Sequence, residues 1–203
     1  MSLPEVRQAQ YLAHTLSALV QKCGARSVAV LGCAGGNGLD RLAPEQVERV
    51  VGVDINPDYI AVMQRRYKDR FQKLEALCCD VLSTDCCFSE VDVVFAGLLF
   101  EYLDAEAALA HIAQFTRPGG HAGVLLQLPN DTIGLVTPSP FASLDKLKGY
   151  MRLVPPSQIE HLGNAQGFRV VSSECTVLAT GKAFQEIVFQ KPVDDIKILS
   201  DSP

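Results

Sequence analysis

The chain has 203 residues, of which 48% are hydrophobic and 20% are charged, so it can bury a sizeable core and is not disordered throughout. Its formal net charge of −5 argues against a nucleic-acid partner, because phosphate binding needs a basic surface. The longest apolar runs, 91–100 and 123–128, are too short to span a membrane. The first residues lack a basic segment followed by an apolar one, so we expect a cytoplasmic protein without a membrane partner.

Two other features of the composition have simple interpretations. The basic residues within 65–73 are typical of a solvated helix face. Seven cysteines include the adjacent pairs 78–79 and 86–87, which raise the alternative of a zinc site. Neighbouring residues of a strand point to opposite faces, and the chain has no Cys-x-x-Cys spacing. We therefore predict no metal site and reduced thiols that pack as small hydrophobic side chains.

The predicted elements begin with a helix within residues 1–24, which we expect to pack on a domain formed by residues 25–192. Helical spacing of Leu12, Leu16 and Leu19 supports this first helix. Strand-like apolar runs and helix-like segments then alternate, which indicates a parallel sheet buried on both faces. In chain order we predict strands at 27–31, 50–53, 74–79, 91–96 and 122–128, helices beginning near Gly38, Asn56-Pro57 and Asp104, and a turn at 117–120.

The end of the chain predicts a different arrangement. A helix near 157–165 precedes two strand-like runs, 168–178 and 184–189, which flank the hairpin signal Thr180-Gly181-Lys182. The fold class that we predict is therefore α/β, a Rossmann-like, seven-stranded, mostly parallel sheet with helices on both faces and a C-terminal antiparallel hairpin. Residues 129–156 form either a lid or a further helix packed on the sheet, and residues 193–203 form a tail.

The segment from Gly32 to Gly38 carries the strongest functional signal. It contains four glycines after a predicted strand and before a predicted helix, and glycine lets a ligand approach the backbone closely. Asp54 follows Gly32 by 22 residues, at the end of the second strand, where a carboxylate can accept hydrogen bonds from a ribose. A dinucleotide-dependent oxidoreductase remains an alternative, although Ala34 interrupts the Gly-x-Gly-x-x-Gly pattern and Asp80 adds an acid at the third strand.

Five segments follow one another along the chain: Leu31-Gly32-Cys33-Ala34-Gly35-Gly36-Asn37-Gly38, Val51-Gly52-Val53-Asp54, Cys79-Asp80-Val81, residues 91–96 followed by Leu99-Phe100-Glu101-Tyr102-Leu103, and Arg117-Pro118-Gly119-Gly120. In this order they resemble motifs of the class I S-adenosylmethionine-dependent methyltransferases, over roughly residues 25–190. The fit looks closest to a small bacterial group of uncharacterised members.

The resemblance implies S-adenosylmethionine as cofactor and a set of cofactor-binding residues. Two positions depart from the family pattern: Val30 replaces an acid that reaches the amino group of the cofactor's methionine, and Ala34 replaces a glycine. The implied cofactor-binding residues are Gly32, Cys33, Ala34, Gly36, Asp54, Ile55, Asp80, Val81, Ala96, Gly97 and Leu98.

The methyl acceptor has no obligatory sequence signature, because the sulfonium already activates the methyl group and the protein mainly aligns the reactants. Candidates for acceptor contact follow the fourth and fifth strands: Glu101 and Tyr102, which are also the candidate catalytic residues, and Gln127. An exposed, structural helix start is an equal alternative for the first two. We predict a methyltransferase for a small organic acceptor, with a non-catalytic binder of S-adenosylmethionine or S-adenosylhomocysteine as the alternative that Val30 favours. A homodimer remains open.

Overall fold

Four α-helices and seven strands are present in the computed structural model, which describes residues 8–129 and 152–193. Helices and strands alternate only in part along the described chain, because three pairs of consecutive strands have no α-helix between them. The helices are α1 (Gln8–Lys22), α2 (Pro57–Tyr67), α3 (Ala105–Phe115) and α4 (Pro156–Ala165). The strands are β1 (Ser27–Leu31), β2 (Arg49–Asp54), β3 (Lys73–Cys78), β4 (Val91–Gly97), β5 (Thr116–Gln127), β6 (Arg169–Val177) and β7 (Ala183–Gln190).

The seven strands form one sheet in the order β3-β2-β1-β4-β5-β7-β6. Strands β1 to β5 pair in parallel, and β7 lies antiparallel between β5 and β6. The register places Val30 between Gly52 of β2 and Phe95 of β4. This arrangement confirms the predicted fold class, and it brings the carboxyl ends of β1, β2 and β4 to one edge of the sheet.

Alternating residues of the strands divide the core between the two faces of the sheet. On one face, Leu109 of α3 and Ile159 of α4 pack against strand residues such as Leu31 and Val94, all fully buried. On the other face, Leu16 of α1 and Met63 of α2 pack against Val30 and its neighbours. At about 25 cal/mol per Å² of apolar surface, these two layers supply the main favourable term of folding.

The helix predicted from about Gly38 is wrong: residues 39–41 form only a short 3-10 helix, and no α-helix separates β1 from β2. An α-helix starting there would need an N–H at position 44 to bond the carbonyl of Asp40, but Pro44 has none. The guanidinium of Arg70 donates instead to the carbonyls of Asp40 and Leu42, both at 2.9 Å. A side chain that follows α2 thus replaces the missing helical turn.

The segment 117–120 was predicted as a turn and lies within β5 instead. A register shift between Val91 and Val93 marks an irregularity in its pairing with β4. Gly119 has a φ of 76° there, and its N–H donates to the carbonyl of Lys191, just beyond β7. Pairing with the neighbouring chain segments therefore extends the strand through residues that favour a turn when considered alone.

The basic segment around α2 is only partly the solvated face that we expected. Besides Arg70, Arg66 bonds the loop between β1 and β2, donating to the carbonyl of Gly35 at 2.8 Å. Lys68 is exposed. Arg66 and Arg70 therefore connect the loop after β1 to the C-terminal end of α2.

All seven cysteines lie in the described residues and are free thiols. Within residues 8–129 and 152–193, no group of three or more His, Cys, Asp or Glu residues is placed to hold a metal ion. None of the helices described is long and apolar enough to cross a membrane. The predicted lid and tail fall mostly outside the described residues, in 130–151 and 194–203.

Candidate active site

The loop after β1 is held in a tight conformation by its own backbone. The N–H groups of Gly32 and Cys33 both donate to the carbonyl of Val53 in β2, at 2.9 and 3.0 Å. Gly32, Ala34 and Gly36 have φ angles of 69°, 47° and 79°, in the left-handed region that favours glycine. Ala34 adopts this conformation with a Cβ atom, which is strained, and strain of this kind concentrates at ligand sites.

Asp54, at the end of β2, holds that strained residue in place. One carboxylate oxygen accepts the N–H of Ala34 at 2.8 Å, and the other accepts the N–H of Asn56 at 2.9 Å. A carboxylate has about four acceptor positions, so each oxygen retains one. Asp54 therefore has the capacity to accept two ribose hydroxyls while it still organises the turn.

Two predicted cofactor-binding residues of the turn have structural roles that the sequence did not reveal. A Cβ atom at Gly36 would lie 2.6 Å from Cε2 of Tyr67 and 2.9 Å from Cγ of Met63, so this glycine permits the close approach of α2. The side chain of Cys33 is buried in the core, and burial, with a smaller contribution from Asp54, raises the pKa of its thiol to about 12. Both residues can contact a cofactor only through the backbone.

The ends of β2 and β3 adjoin each other and present an apolar and an acidic side chain. Ile55 is 71% exposed, which is unusual for a large aliphatic side chain beside buried strands. Asp80 is exposed, and its Oδ1 atom accepts the N–H of Leu82 at 2.9 Å. The neighbouring Val81 is buried in the core, so it also offers its backbone. Adenine, with a flat apolar face and an amino group, matches an exposed isoleucine near a carboxylate.

The end of β4 contains the second strained residue of this edge. Leu98 has a φ of 57°, and its N–H donates to the carbonyl of Leu125 in β5 at 2.8 Å. Gly97 lies beneath α1, since a Cβ atom there would meet Cδ2 of Leu12 at 2.5 Å. Ala96 is fully buried. The next residue, Leu99, lies over Gly32, with 3.1 Å between its Cδ1 and the Cβ that Gly32 lacks, so the loops after β1 and β4 are in contact.

Glu101 is buried, contrary to the alternative of an exposed helix start. It is only 2% exposed, and its Oε1 accepts the backbone N–H of Gln127 at 2.8 Å. Its Oε2 is buried without a hydrogen-bond partner among the described residues. Burial raises the pKa of this carboxyl group. Such an oxygen can accept a hydrogen bond or a proton from a bound molecule.

Tyr102 is 43% exposed, and burial together with the nearby charge of Glu101 raises the pKa of its phenol. Glu101 and Tyr102 line a cavity of about 570 Å³, a volume typical of small-molecule sites. The second wall of the cavity is formed by residues 152–154 and Gln158, just before and in the first turn of α4. The sequence did not identify these residues, because they belong to no recognisable motif. The backbone N–H of Arg152 donates to the carbonyl of Glu101 at 2.9 Å and so connects the two walls.

Val30 contributes no polar group to this edge. Its side chain is 6% exposed and packs in the core on the face of α1 and α2. The methionine end of a cofactor must therefore find its polar partners elsewhere in the site.

Comparison with known proteins bears on the family and the fold of this chain. A family described as a methyltransferase domain matches residues 28–120. No curated protein sequence matches significantly. Solved structures match over nearly the whole chain. Because their sequences are less than 25% identical to this one, the match shows a shared fold alone.

Three of these structures have TM-scores near 0.7. The N-methyltransferase NodS from Bradyrhizobium japonicum, in complex with S-adenosylhomocysteine, is 17% identical over 94% of this chain and 89% of its own, with a TM-score of 0.69. Magnesium protoporphyrin IX methyltransferase from Synechocystis, with bound S-adenosylhomocysteine, is 14% identical over 92% of this chain and 84% of its own, also with a TM-score of 0.69. The [4+2]-cyclase SpnF is 16% identical over 88% of this chain and 80% of its own, with a TM-score of 0.68.

The sheet order, with five parallel strands and an antiparallel C-terminal pair, defines a Rossmann-like α/β fold. Residues 28–120 match a methyltransferase-domain family, and the chain has the fold of the class I S-adenosylmethionine-dependent methyltransferases. This confirms the resemblance found in the sequence. S-adenosylmethionine is the cofactor of this class.

Proposed function

We propose that this protein transfers the methyl group of S-adenosylmethionine to a small organic acceptor. The observation that carries the proposal is the position of Asp54: it ends β2 in this sheet order and bonds the strained turn after β1. The cofactor supplies an activated methyl group on a sulfonium. The residues at the carboxyl edge of the sheet then have to bind, orient and shield the reactants.

The ribose and the adenine of the cofactor have partners of matching chemistry at this edge. Asp54 retains acceptor capacity for two hydroxyl groups, and the exposed Ile55 offers an apolar face beside Asp80. The backbones of Gly32 and Leu98 lie at the carboxyl ends of the paired strands β1 and β4. We propose that the eleven cofactor-binding residues predicted from the sequence form this site, with Cys33, Gly36 and Val81 acting through their backbones.

The acceptor, in this proposal, enters the cavity beyond β4. Its buried carboxylate, Glu101, has one oxygen committed to Gln127 and the other without a partner among the described residues. A hydroxyl or amine donor of the acceptor satisfies that oxygen, and burial makes the carboxylate a stronger base. We assign Glu101 as the group that orients the acceptor or takes its proton, with Tyr102 and Gln127 beside it.

The non-catalytic alternative keeps a specific basis in Val30, which removes an acid of the family pattern. The [4+2]-cyclase with the same fold also shows that this fold does not by itself impose methyl transfer. A dinucleotide-dependent oxidoreductase has less support, because β7 lies antiparallel between β5 and β6. The proposal also includes the acceptor class, a cytoplasmic location and the absence of nucleic-acid and membrane partners. The seven free thiols support the cytoplasmic location.

Calorimetric titration with S-adenosylhomocysteine, NAD and NADP tests the cofactor. We expect binding of S-adenosylhomocysteine and its loss in Asp54→Asn, which retains the shape of the side chain without its charge. Binding of NAD in preference to S-adenosylhomocysteine contradicts the proposal.

Catalysis is tested with S-adenosylmethionine and a panel of small phenols, amines and carboxylic acids, following S-adenosylhomocysteine formation by mass spectrometry. We expect turnover with at least one compound and a large reduction of kcat in Glu101→Gln at unchanged cofactor affinity. Cofactor binding without turnover across the panel favours the non-catalytic alternative.

A further inference from the structure

Four buried polar side chains form a line across the carboxyl end of β5. Gln127, the last residue of β5, bonds Glu101 through its backbone N–H, and its side-chain oxygen accepts from Nζ of Lys182 at 3.5 Å. The same Nζ donates to Oε1 of Gln8, at the start of α1, at 3.4 Å. All four side chains belong to residues no more than 6% exposed. The line therefore connects the loop after β4, the turn between β6 and β7 and the start of α1.

The ammonium group of Lys182 has only long hydrogen bonds in this line. Its residue is only 5% exposed, and hydrogen bonds from an ammonium group to a charged partner are normally about 2.7–2.9 Å long. Both of its contacts are longer, and both are to neutral amide oxygens. Among residues 8–129 and 152–193, no carboxylate forms an ion pair with it, and burial lowers its pKa. A buried ammonium group without a counter-charge is unfavourable in the absence of a ligand.

Lys191 provides a contrast within the same chain. Its Nζ donates to the carbonyls of Ala113 and Thr116, both at 2.8 Å, and lies 3.5 Å from Oε1 of Glu90. It therefore has short bonds and a carboxylate partner, as expected of a lysine with a structural role. Lys182 has neither, although it is the more buried of the two.

The position of Lys182 connects it to the proposed reaction. Phe184 pairs with Gln127 at the end of β5, so the turn that precedes β7 lies at the same edge as the loops after β1, β2 and β4. Strand β5 is the neighbour of β4 on the side away from β1. Lys182 does not itself line the acceptor cavity, but Gln127 contacts both Lys182 and Glu101, which is one of the lining residues.

We propose that Lys182, with Gln8 and Gln127, binds a carboxylate group of the methyl acceptor, so that the acceptor is an organic anion. A carboxylate carries one negative charge and so matches one ammonium group, whereas a phosphate monoester carries about 1.5–2. The two amide groups then bond the second carboxylate oxygen or the ammonium group. That the bound anion is the methyl acceptor rests on the proposed function, but the binding of a carboxylate at Lys182 is testable separately.

The test compares acetate and benzoate with their neutral analogues acetamide and benzamide, by thermal unfolding with and without S-adenosylhomocysteine. We expect the two carboxylates, and not the amides, to raise the melting temperature of the wild-type protein. The affinity for benzoate should fall at least tenfold in Lys182→Met and remain unchanged in the matched variant Lys191→Met. Lys182→Gln, which retains a polar group without the charge, should show the same loss of affinity.

Stability without any added anion distinguishes this role from a structural one. Lys182→Met should then be at least as stable as the wild type, because the substitution removes a buried charge that lacks a partner. Equal effects of carboxylates and amides, no effect of either carboxylate on the wild type, or unchanged benzoate affinity in the Lys182 variant overturns the inference. Failure of S-adenosylhomocysteine to bind contradicts the proposed function instead and leaves the result for carboxylates interpretable.

Discussion

Replacing Val30 by glutamate tests the most unusual position of the site. Val30 is 6% exposed and lies between Gly52 and Phe95 on the core face that also contains Met63 of α2. A carboxylate there has no cation to pair with among the side chains of that core cluster. The structure therefore favours destabilisation of the fold over improved cofactor binding.

The expected loss of stability in Val30→Glu follows from the protonation that burial of the new carboxylate would force. Raising the pKa of a glutamate from about 4.3 to above 7 corresponds to about 1.36 kcal/mol per pH unit, or about 4 kcal/mol in all. The longer side chain adds about 1–3 kcal/mol of overpacking. Because the total stability of a domain is about 5–15 kcal/mol, the variant should be close to unfolding at pH 7.

Urea denaturation of Val30→Glu and Val30→Gln at pH 5 and pH 7 measures this. The folded-state pKa of the new carboxyl group is raised, so its penalty is small near the unfolded pKa and grows as the pH rises toward the folded one. Val30→Gln should show the size effect without this pH dependence. A Val30→Glu variant as stable as Val30→Gln at pH 7, or one that binds S-adenosylhomocysteine more tightly than the wild type, would show that this side chain faces the cofactor.

Three further predictions concern the turn, the loop after it and the thiols. Asp54→Ala should lower the free energy of unfolding by at least about 1.5 kcal/mol even without ligand, because two charge-assisted bonds to backbone N–H groups are lost; urea denaturation measures this, and an unchanged midpoint refutes it. Arg70→Met should cost about 1–3 kcal/mol by leaving two carbonyls unpaired, while the exposed control Lys68→Met should change stability by less than about 0.5 kcal/mol. Elemental analysis of the purified protein should find no stoichiometric zinc, and a chelator should not shift its melting temperature; one equivalent of zinc contradicts the proposed role of the cysteines.

Features set by neighbouring residues were predictable from the sequence. Asn56 accepts the N–H of Asp58 at the start of α2, and Asp104 accepts that of Ala107 at the start of α3, as their positions before helices indicated. The apolar runs likewise predicted all seven strands, and Thr180-Gly181-Lys182 between the last two runs indicated the hairpin. The positions of Asp54 and Asp80 followed from the same runs, because residues at the end of a strand lie at the sheet edge.

Features that depend on distant residues could not be predicted in this way. Arg70 bonds carbonyls about 30 residues earlier in the chain, and nothing near Gly38 indicates that the expected helix is replaced. Gln8 and Lys182 are separated by 174 positions, so their contact has no local pattern. The burial of Glu101 depends on the N–H of Gln127 at the end of another strand. A charged residue after a strand is ordinarily taken to be exposed.

The sheet order has a consequence for how this protein is synthesised. Among the strands of the described residues, β7 is the last to leave the ribosome, yet it lies between β5 and β6. Until residues 183–190 have emerged, β5 has an open edge and β6 has no neighbour with which to pair. Exposed edges of this kind promote association between nascent chains. A chain stalled on the ribosome between β6 and β7 therefore has its five parallel strands but an incomplete sheet. At this stage we expect chaperone binding to be most important.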